Sequence, residues 1–193
     1  MNPAQRRATY DDLLKVPDIL VAEILDGELF ASPRPASSHA QASSVLRGAL
    51  DPFAQRIGGP GGPGGWWILF APELHFGSDV LVPDLAGWRR ERLPVLHNVA
   101  YFDLAPDWVC EVVSPSTART DRVRKVPIYA REGVGHLWLV DPLQQTLEVF
   151  RLEGRRWVLM STHGGAEVVQ AEPFETLALE LNRWWLESEA EQS

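Results

Sequence analysis

Apolar residues fall into two kinds of run along this chain. They are nearly continuous from Trp108 to Val113, WVCEVV, and from His136 to Val140, HLWLV. Short runs of this kind, rich in Val and Trp, predict strands buried on both faces. The residues between them, Thr120 to Glu132, carry a basic helical pattern, so Pro106 to Pro142 predicts strand, helix and strand in succession. A different spacing holds earlier. Ala42, Val45, Leu46, Ala49, Leu50 and Phe53 recur three and four apart, predicting an amphipathic helix from His39 to Ile57. In Ile19 to Ala31, ILVAEILDGELFA, Asp26-Gly27 separates two apolar runs and predicts a hairpin, with Glu23 and Glu28 on its two strands.

The remaining pattern is mostly of strands. Thr9 and Asp12 form a capping pair for a short helix through Leu13 and Leu14, stopped by Pro17. Gly58 to Gly65, GGPGGPGG, has neither the lysine nor the Ser/Thr of a phosphate loop and reads as a spacer. Trp66 to Phe70, Glu73 to Phe76 and Asp79 to Trp88 follow as strands, the last with Asp84 inside it. After Asp141, runs at Thr146 to Leu152, Arg156 to Ser161 and Glu167 to Val169 alternate with Gly turns and predict a meander. Leu177 to Glu187 reads as a closing helix anchored by Trp184 and Trp185. No internal repeat interrupts this order. One globular unit over residues 1–193 is expected, with its core at about 9–152 and a C-terminal β extension at about 153–193.

Composition narrows the picture. With 193 residues, 45% of them hydrophobic and eight Trp, the chain can bury a substantial core. No window approaches the roughly 18 apolar residues of a membrane span, and the first residues lack the apolar core of a signal peptide. A cytoplasmic protein is expected. Cys110 is the sole cysteine, which excludes an internal disulfide and multi-cysteine zinc, and its neighbours make it a strand-core thiol. The net charge of -8 argues against a bulk nucleic-acid binder, yet two basic runs flank the central stretch. One holds Arg89, Arg90 and Arg92; the other holds Arg119, Arg122, Arg124, Lys125 and Arg131.

Glu111 is the position that hydrophobicity does not explain. An ionised carboxylate inside an apolar strand costs several kcal/mol unless a cation or hydrogen-bond donors compensate it. Asp84 lies one strand and loop earlier. If those two strands are neighbours, both carboxylates project from one face, and such a pair suits a hard octahedral ion, Mg²⁺ or Mn²⁺. Of the eighteen Lys and Arg only Lys15 and Lys125 are lysines, so Lys125 departs from the chain's preference for arginine. Its ammonium suits the positioning of water or the offsetting of transition-state charge. The remaining histidines show no metal spacing, and Val-Ser114-Pro-Ser lacks the glycines of a serine-hydrolase elbow.

Three segments together resemble the Uma family, described as putative endonucleases of the PD-(D/E)XK, or restriction-endonuclease-like, superfamily. They are VPDLAG around Asp84, PDWVCEVVSPS around Glu111, and TDRVRKVPIYAREGVGHLWLVDP around Lys125 and Tyr129. Ala22-Glu23-Ile-Leu-Asp-Gly-Glu-Leu and the helix at His39 extend the resemblance to roughly Thr9 to Leu152. It implies an α/β fold with a central mixed sheet flanked by helices, and metal-dependent hydrolysis of nucleic acid, DNA being the expected substrate. It also implies Asp84 and Glu111 as metal-binding carboxylates, with Glu23 as an accessory acid. The superfamily's lysine two residues after the glutamate is Val113 here, so Lys125 takes its place, with Tyr129 one turn further along. Pro127 between them predicts a kink or restart of the helix. His39 reads as an accessory residue or, more simply, as a solvated helix-start histidine. Analogy with the superfamily adds a homodimer. The rival reading is a noncatalytic interaction module that keeps the fold, which has no reason to hold Asp84, Glu111 and Lys125 together.

Overall fold

The computed structural model describes residues 6–55 and 62–186. In chain order the elements are α1 (Tyr10–Leu13), β1 (Leu20–Leu25), β2 (Glu28–Pro33), α2 (Ser37–Ala49), α3 (Asp51–Ala54), β3 (Trp66–Phe70), β4 (Leu74–Phe76), β5 (Asp79–Leu81), β6 (Leu85–Arg89) and β7 (Trp108–Val112). Then follow α4 (Ala118–Thr120), α5 (Val126–Glu132), β8 (His136–Asp141), β9 (Thr146–Glu153), β10 (Arg156–Gly164), β11 (Val168–Val169) and β12 (Leu179–Glu180). The expected α/β architecture with a mixed sheet is present. A six-stranded sheet runs β10-β9-β8-β7-β6-β3, and β7 and β8 are its parallel pair. A four-stranded sheet runs β2-β1-β5-β4.

That second sheet corrects the sequence reading. Asp79 to Trp88 is not one strand but two, β5 in the smaller sheet and β6 in the larger, separated at Val82-Pro83-Asp84. Pro83 has no N–H to contribute to a ladder, so the chain leaves one sheet there and enters the other. Asp84 therefore stands at the crossing, just ahead of β6.

The two faces of β7 bury different things. Trp108, Cys110 and Val112 face a cluster with Trp66, Trp138, Phe174 and Trp184, covered by α2 and the C-terminal segment. Phe174 meets Trp66, Trp108 and Trp138 edge-on at 5.0 to 5.6 Å. Gly87 opposite is closely approached: a Cβ there would lie 3.2 Å from both Trp108 and Trp66, so the rings would have to give by a few tenths of an ångström. Val109 and Val113 face a second cluster with Leu81, Trp88, Ile128 and Tyr129. Glu111 shares that second face.

Local signals account for most element ends. Asp26 (φ 53°) and Gly27 (φ 84°) make the left-handed turn of the β1–β2 hairpin. Thr9 and Asp12 form the capping box of α1. α5 ends at Gly133 with φ 79°. Other ends differ from expectation. α2 begins at Ser37, not His39, and breaks at Leu50 before Asp51-Pro52; Ile57 and most of the glycine-rich spacer lie outside the described residues. Leu177 to Trp184 is not a helix: it contains β12 and a single 3-10 turn, Leu181–Trp184, since Leu179 pairs with Val169. Glu187 lies outside the described residues. The kink expected at Pro127 is a π-helical turn, Asp121–Lys125, between α4 and α5. Proline cannot donate to the carbonyl four residues back, and widening the preceding turn accommodates that loss while turning both Asp121 and Lys125 inward.

Candidate active site

The register of β6 on β7 pairs Leu85 with Cys110. Continued by one residue, it sets Asp84 opposite Glu111 with both side chains on the same face. The Val112 N–H donates to Asp84 Oδ2 at 2.7 Å and fixes that carboxylate. The other oxygen, Oδ1, lies 3.1 Å from His39 Nε2. A carboxylate at that distance selects the tautomer with hydrogen on Nε2. Ser43, one turn along α2, donates to the His39 carbonyl at 2.8 Å and lies 3.3 Å from Nδ1. His39 is thus buried and engaged, which overturns its reading as a solvated helix-start residue.

Glu111 is 2% exposed and its compensating partners are explicit. Lys125 Nζ lies 2.8 Å from Oε1 and 3.0 Å from Oε2, while the Tyr129 hydroxyl donates to Oε1 at 2.5 Å. Tyr129 follows Lys125 by four residues and so comes from the same side of the helix. The ammonium also reaches Glu23 Oε1 at 2.9 Å and the Val82 carbonyl at 3.2 Å, with Asp121 Oδ1 at 3.8 Å. Glu23 in turn accepts from the Val82 N–H at 2.7 Å. Every side chain singled out in the sequence therefore converges: Glu23 from β1, His39 from α2, Asp84 from the crossing, Glu111 from β7, Lys125 and Tyr129 from the wide turn and α5. Asp121 joins them unforeseen. Its signal was present, as the one acid in the basic segment RTDRVRK, four residues before Lys125.

Burial sets the electrostatics. It pushes the Glu111 carboxyl well above the usual range, with Lys125 opposing and Asp121 and Asp84 adding to the rise. Burial likewise raises Asp121, to about 6, against the pull of Lys125. For Lys125, burial acts downward, but Glu111 and Glu23 outweigh it and hold the ammonium well above its ordinary value. The group is a permanent cation ringed by acids that share a surplus of negative charge. Cys110 on the opposite face is raised by burial first and these acids second, which makes it an inert core thiol.

Glu23, His39, Asp84, Glu111, Asp121 and Lys125 line a cleft of about 60 Å³, whose outer wall includes Ser32, Pro33, Pro35 and Thr117. That volume holds a few waters or an ion, not a nucleobase. Larger grooves exist, about 390 Å³ beside α2 and about 670 Å³ at the β1–β2 turn. Neither gathers buried ionisable groups, so chemistry outranks size here. The basic runs fare unequally. Arg89 and Arg90 stack on Trp66 and Trp67, and Arg92 pairs with Asp107, all at the end of β6 remote from Asp84. In the second run Arg122, Arg124 and Arg131 bind Glu148, Glu28 and Asp79. Arg119 is exposed beside the cleft residue Thr117.

Among the described residues no group of three or more His, Cys, Asp and Glu is arranged to hold a metal, and no helix is long and apolar enough to cross a membrane. A search among curated proteins gave no match. Among solved structures, a "putative nuclease belonging to DUF820 from Anabaena variabilis ATCC 29413" is similar over 92% of this chain and 97% of its own, with a TM-score of 0.72 and 24% identity. That likeness shows the restriction-endonuclease-like fold. The family model described as "Uma2: Putative restriction endonuclease" matches residues 8–182, nearly the whole chain, so the protein belongs to the Uma2 family and its class of activity is that of a nuclease.

Proposed function

We propose that this protein is a metal-dependent endonuclease that hydrolyses DNA phosphodiesters at the cleft between Asp84 and Glu111. The observation that carries this reading is the cross-strand placement of those two carboxylates around one small cavity beside a buried lysine. Two carboxylates with space for water fit a Mg²⁺ or Mn²⁺ ion, which binds few protein ligands and keeps a hydration shell. The lone pairs agree. Each Asp84 oxygen accepts one hydrogen bond and Glu111 Oε2 accepts one, so all three retain acceptor capacity. Asp84 and Glu111 would hold the ion, which supplies Lewis-acid polarisation of the phosphoryl oxygens and a more acidic water.

The chain's own residues supply the remainder. The Val112 N–H and His39 orient Asp84; Tyr129 and Lys125 orient Glu111 and stop it from turning back into the core. Lys125 Nζ is enclosed by acceptors, and its side chain is 3% exposed. Its contribution is that of a fixed positive charge near the phosphorus as the water oxygen bonds to it and the bridging P–O bond breaks. A cleft this small admits a phosphate oxygen and its water, so the nucleic acid lies across the mouth. Arg119, two residues after the wall residue Thr117, is exposed and would meet a flanking phosphate; Arg34, between Pro33 and Pro35, is exposed too and donates to the Asp18 carbonyl at 2.8 Å. This local basic rim, against a chain charge of -8, favours binding at one place instead of along a whole face.

Supercoiled plasmid incubated with Mn²⁺ or Mg²⁺ tests the reading. Nicking or linearisation by the parent is expected, with a loss of about a hundredfold or more for Asp84→Asn and Glu111→Gln. Parent-like cleavage by both variants would remove the mechanism. Cleavage of RNA but not DNA would keep the chemistry and change the substrate.

A further inference from the structure

The aromatic side chains of this protein are almost all withdrawn from solvent. Among the described residues only Phe70, 60% exposed, and Tyr101, 45% exposed, stand open. Both flank one stretch of backbone that starts at the cleft. Phe70 ends β3 opposite Leu85, the residue after Asp84, and the Ala71 N–H that follows donates to the Asp84 carbonyl at 2.9 Å. Two residues further on, the Glu73 carbonyl accepts from the Phe102 N–H at 2.9 Å, which brings Tyr101 to the same stretch. Both rings are held. Ala71 has φ 45°, a left-handed conformation that alanine rarely adopts, and the buried Pro72 follows it, so the turn that leaves Phe70 outside is fixed at a local cost. The Tyr101 ring is stacked on His75 at 3.8 Å and 9°. His75 Nε2 lies 2.7 Å from Glu73 Oε1, which also accepts from the Tyr10 hydroxyl at 2.8 Å.

We infer that Phe70 and Tyr101 are stacking platforms for unpaired nucleobases, so that the strand cut in the Asp84–Glu111 cleft is single-stranded where it passes β3. This rests on the nuclease reading above and names the form of nucleic acid that the site takes. Every base has a π-face, so two exposed rings hold a strand without reading its sequence. A duplex keeps its bases paired inside and offers the rings only sugar and phosphate. The neighbouring charges point the same way: Glu73 and the exposed Asp103 are acidic and disfavour phosphates here, whereas a single strand can turn its bases to the rings and its backbone away. Phe70, one residue from the peptide bonded to Asp84, takes the base nearer the scissile phosphate, and Tyr101 takes one further out. His75 acts through Tyr101, as the positioning residue behind that ring.

Fluorescence anisotropy of a dye-labelled DNA oligonucleotide, as a single strand and as its duplex, tests this on the full-length protein in chelator, where cleavage does not interfere. The single strand is expected to bind at least about tenfold more tightly than the duplex. Phe70→Ala and Tyr101→Ala should each weaken the single strand about fivefold or more and leave the duplex unchanged. The slope of log affinity against log salt should stay that of the parent, because no ion pair is lost. Phe70→Leu separates stacking from apolar bulk: it should behave like Phe70→Ala, whereas Phe70→Trp should match the parent. These side chains are exposed, so each variant should unfold at the parent's urea midpoint. Equal affinity of the parent for the two forms, or parent-like binding of the single strand by Phe70→Ala and Tyr101→Ala, overturns the inference while leaving metal-dependent cleavage at Asp84 and Glu111 standing. Binding of neither form overturns it as well, and plasmid cleavage then decides the nuclease reading by itself.

Discussion

The two sides of β7 are built from the same five residues and do opposite work. One side is a dry aromatic cluster whose sole titratable β7 residue is the inert thiol Cys110; the other, one residue out of phase, packs four carboxylates, a lysine, a tyrosine and a histidine around a cleft. Burial on the first side is favourable by about 25 cal/mol for each Å² of apolar surface removed from water. Burial on the second side raises the free energy of every charge it encloses. Stability and chemistry are thereby separated by the alternation of a strand, and the first supports the cost of the second.

Substitutions on the two sides should break that partnership in different ways. The largest effect is expected at activity: Glu111→Gln should lose cleavage nearly completely while its unfolding free energy stays within about 1 kcal/mol of the parent, because Lys125 keeps Glu23 and Asp121. A large loss of stability in urea titration would show that Glu111 is structural. On the dry side, Trp138→Ala should lower stability by about 3–5 kcal/mol, read by the same titration. Lys125→Met in chelator should cost a similar amount, about 3–5 kcal/mol, since it leaves buried acids without their cation. Unlike the tryptophan's, that loss should shrink at low pH as the acids protonate.

Asp121 gives a finer test. Its folded value of about 6 lies above the ordinary 3.8, so its contribution to stability is fully present below about pH 4 and is lost as pH rises through about 6. The difference in unfolding free energy between parent and Asp121→Asn, followed across that window in chelator, should change by on the order of 3 kcal/mol; a flat difference would show that Asp121 is ionised throughout. At the rim the effects are small. Arg119→Ala should weaken DNA binding a few fold and reduce the slope of log affinity against log salt by about 1. Arg124→Ala, which breaks an exposed pair with Glu28, should change stability by less than about 1 kcal/mol.

Much of this arrangement was legible before any coordinates. Glu111 stood out because its neighbours are apolar, and Asp26-Gly27 marked its turn by backbone preference. What escaped notice was tertiary. The pattern VLVPDLAGW gives continuous hydrophobicity through Pro83, and nothing local says that its halves belong to two sheets. Likewise, Leu177 to Trp184 has helical spacing that pairing with Val169 overrides. His39 has the composition of an exposed helix start; only the position of Asp84 draws it inward. For a related reason charge runs do not reveal which arginines meet acids from strands far away in sequence, as Arg122 and Arg124 do.

The backbone of Val82, where the chain leaves the smaller sheet, offers its N–H to Glu23 of β1 and its carbonyl to Lys125 of the wide helical turn. Alignment of the smaller sheet against the larger is therefore transmitted to the cleft through the Val82 backbone and the Glu23 and Lys125 side chains it holds. A lesion as remote as the β4–β5 hairpin would be felt as misplacement of the lysine by tenths of an ångström, so catalytic rate becomes a gauge of how well the two layers are docked.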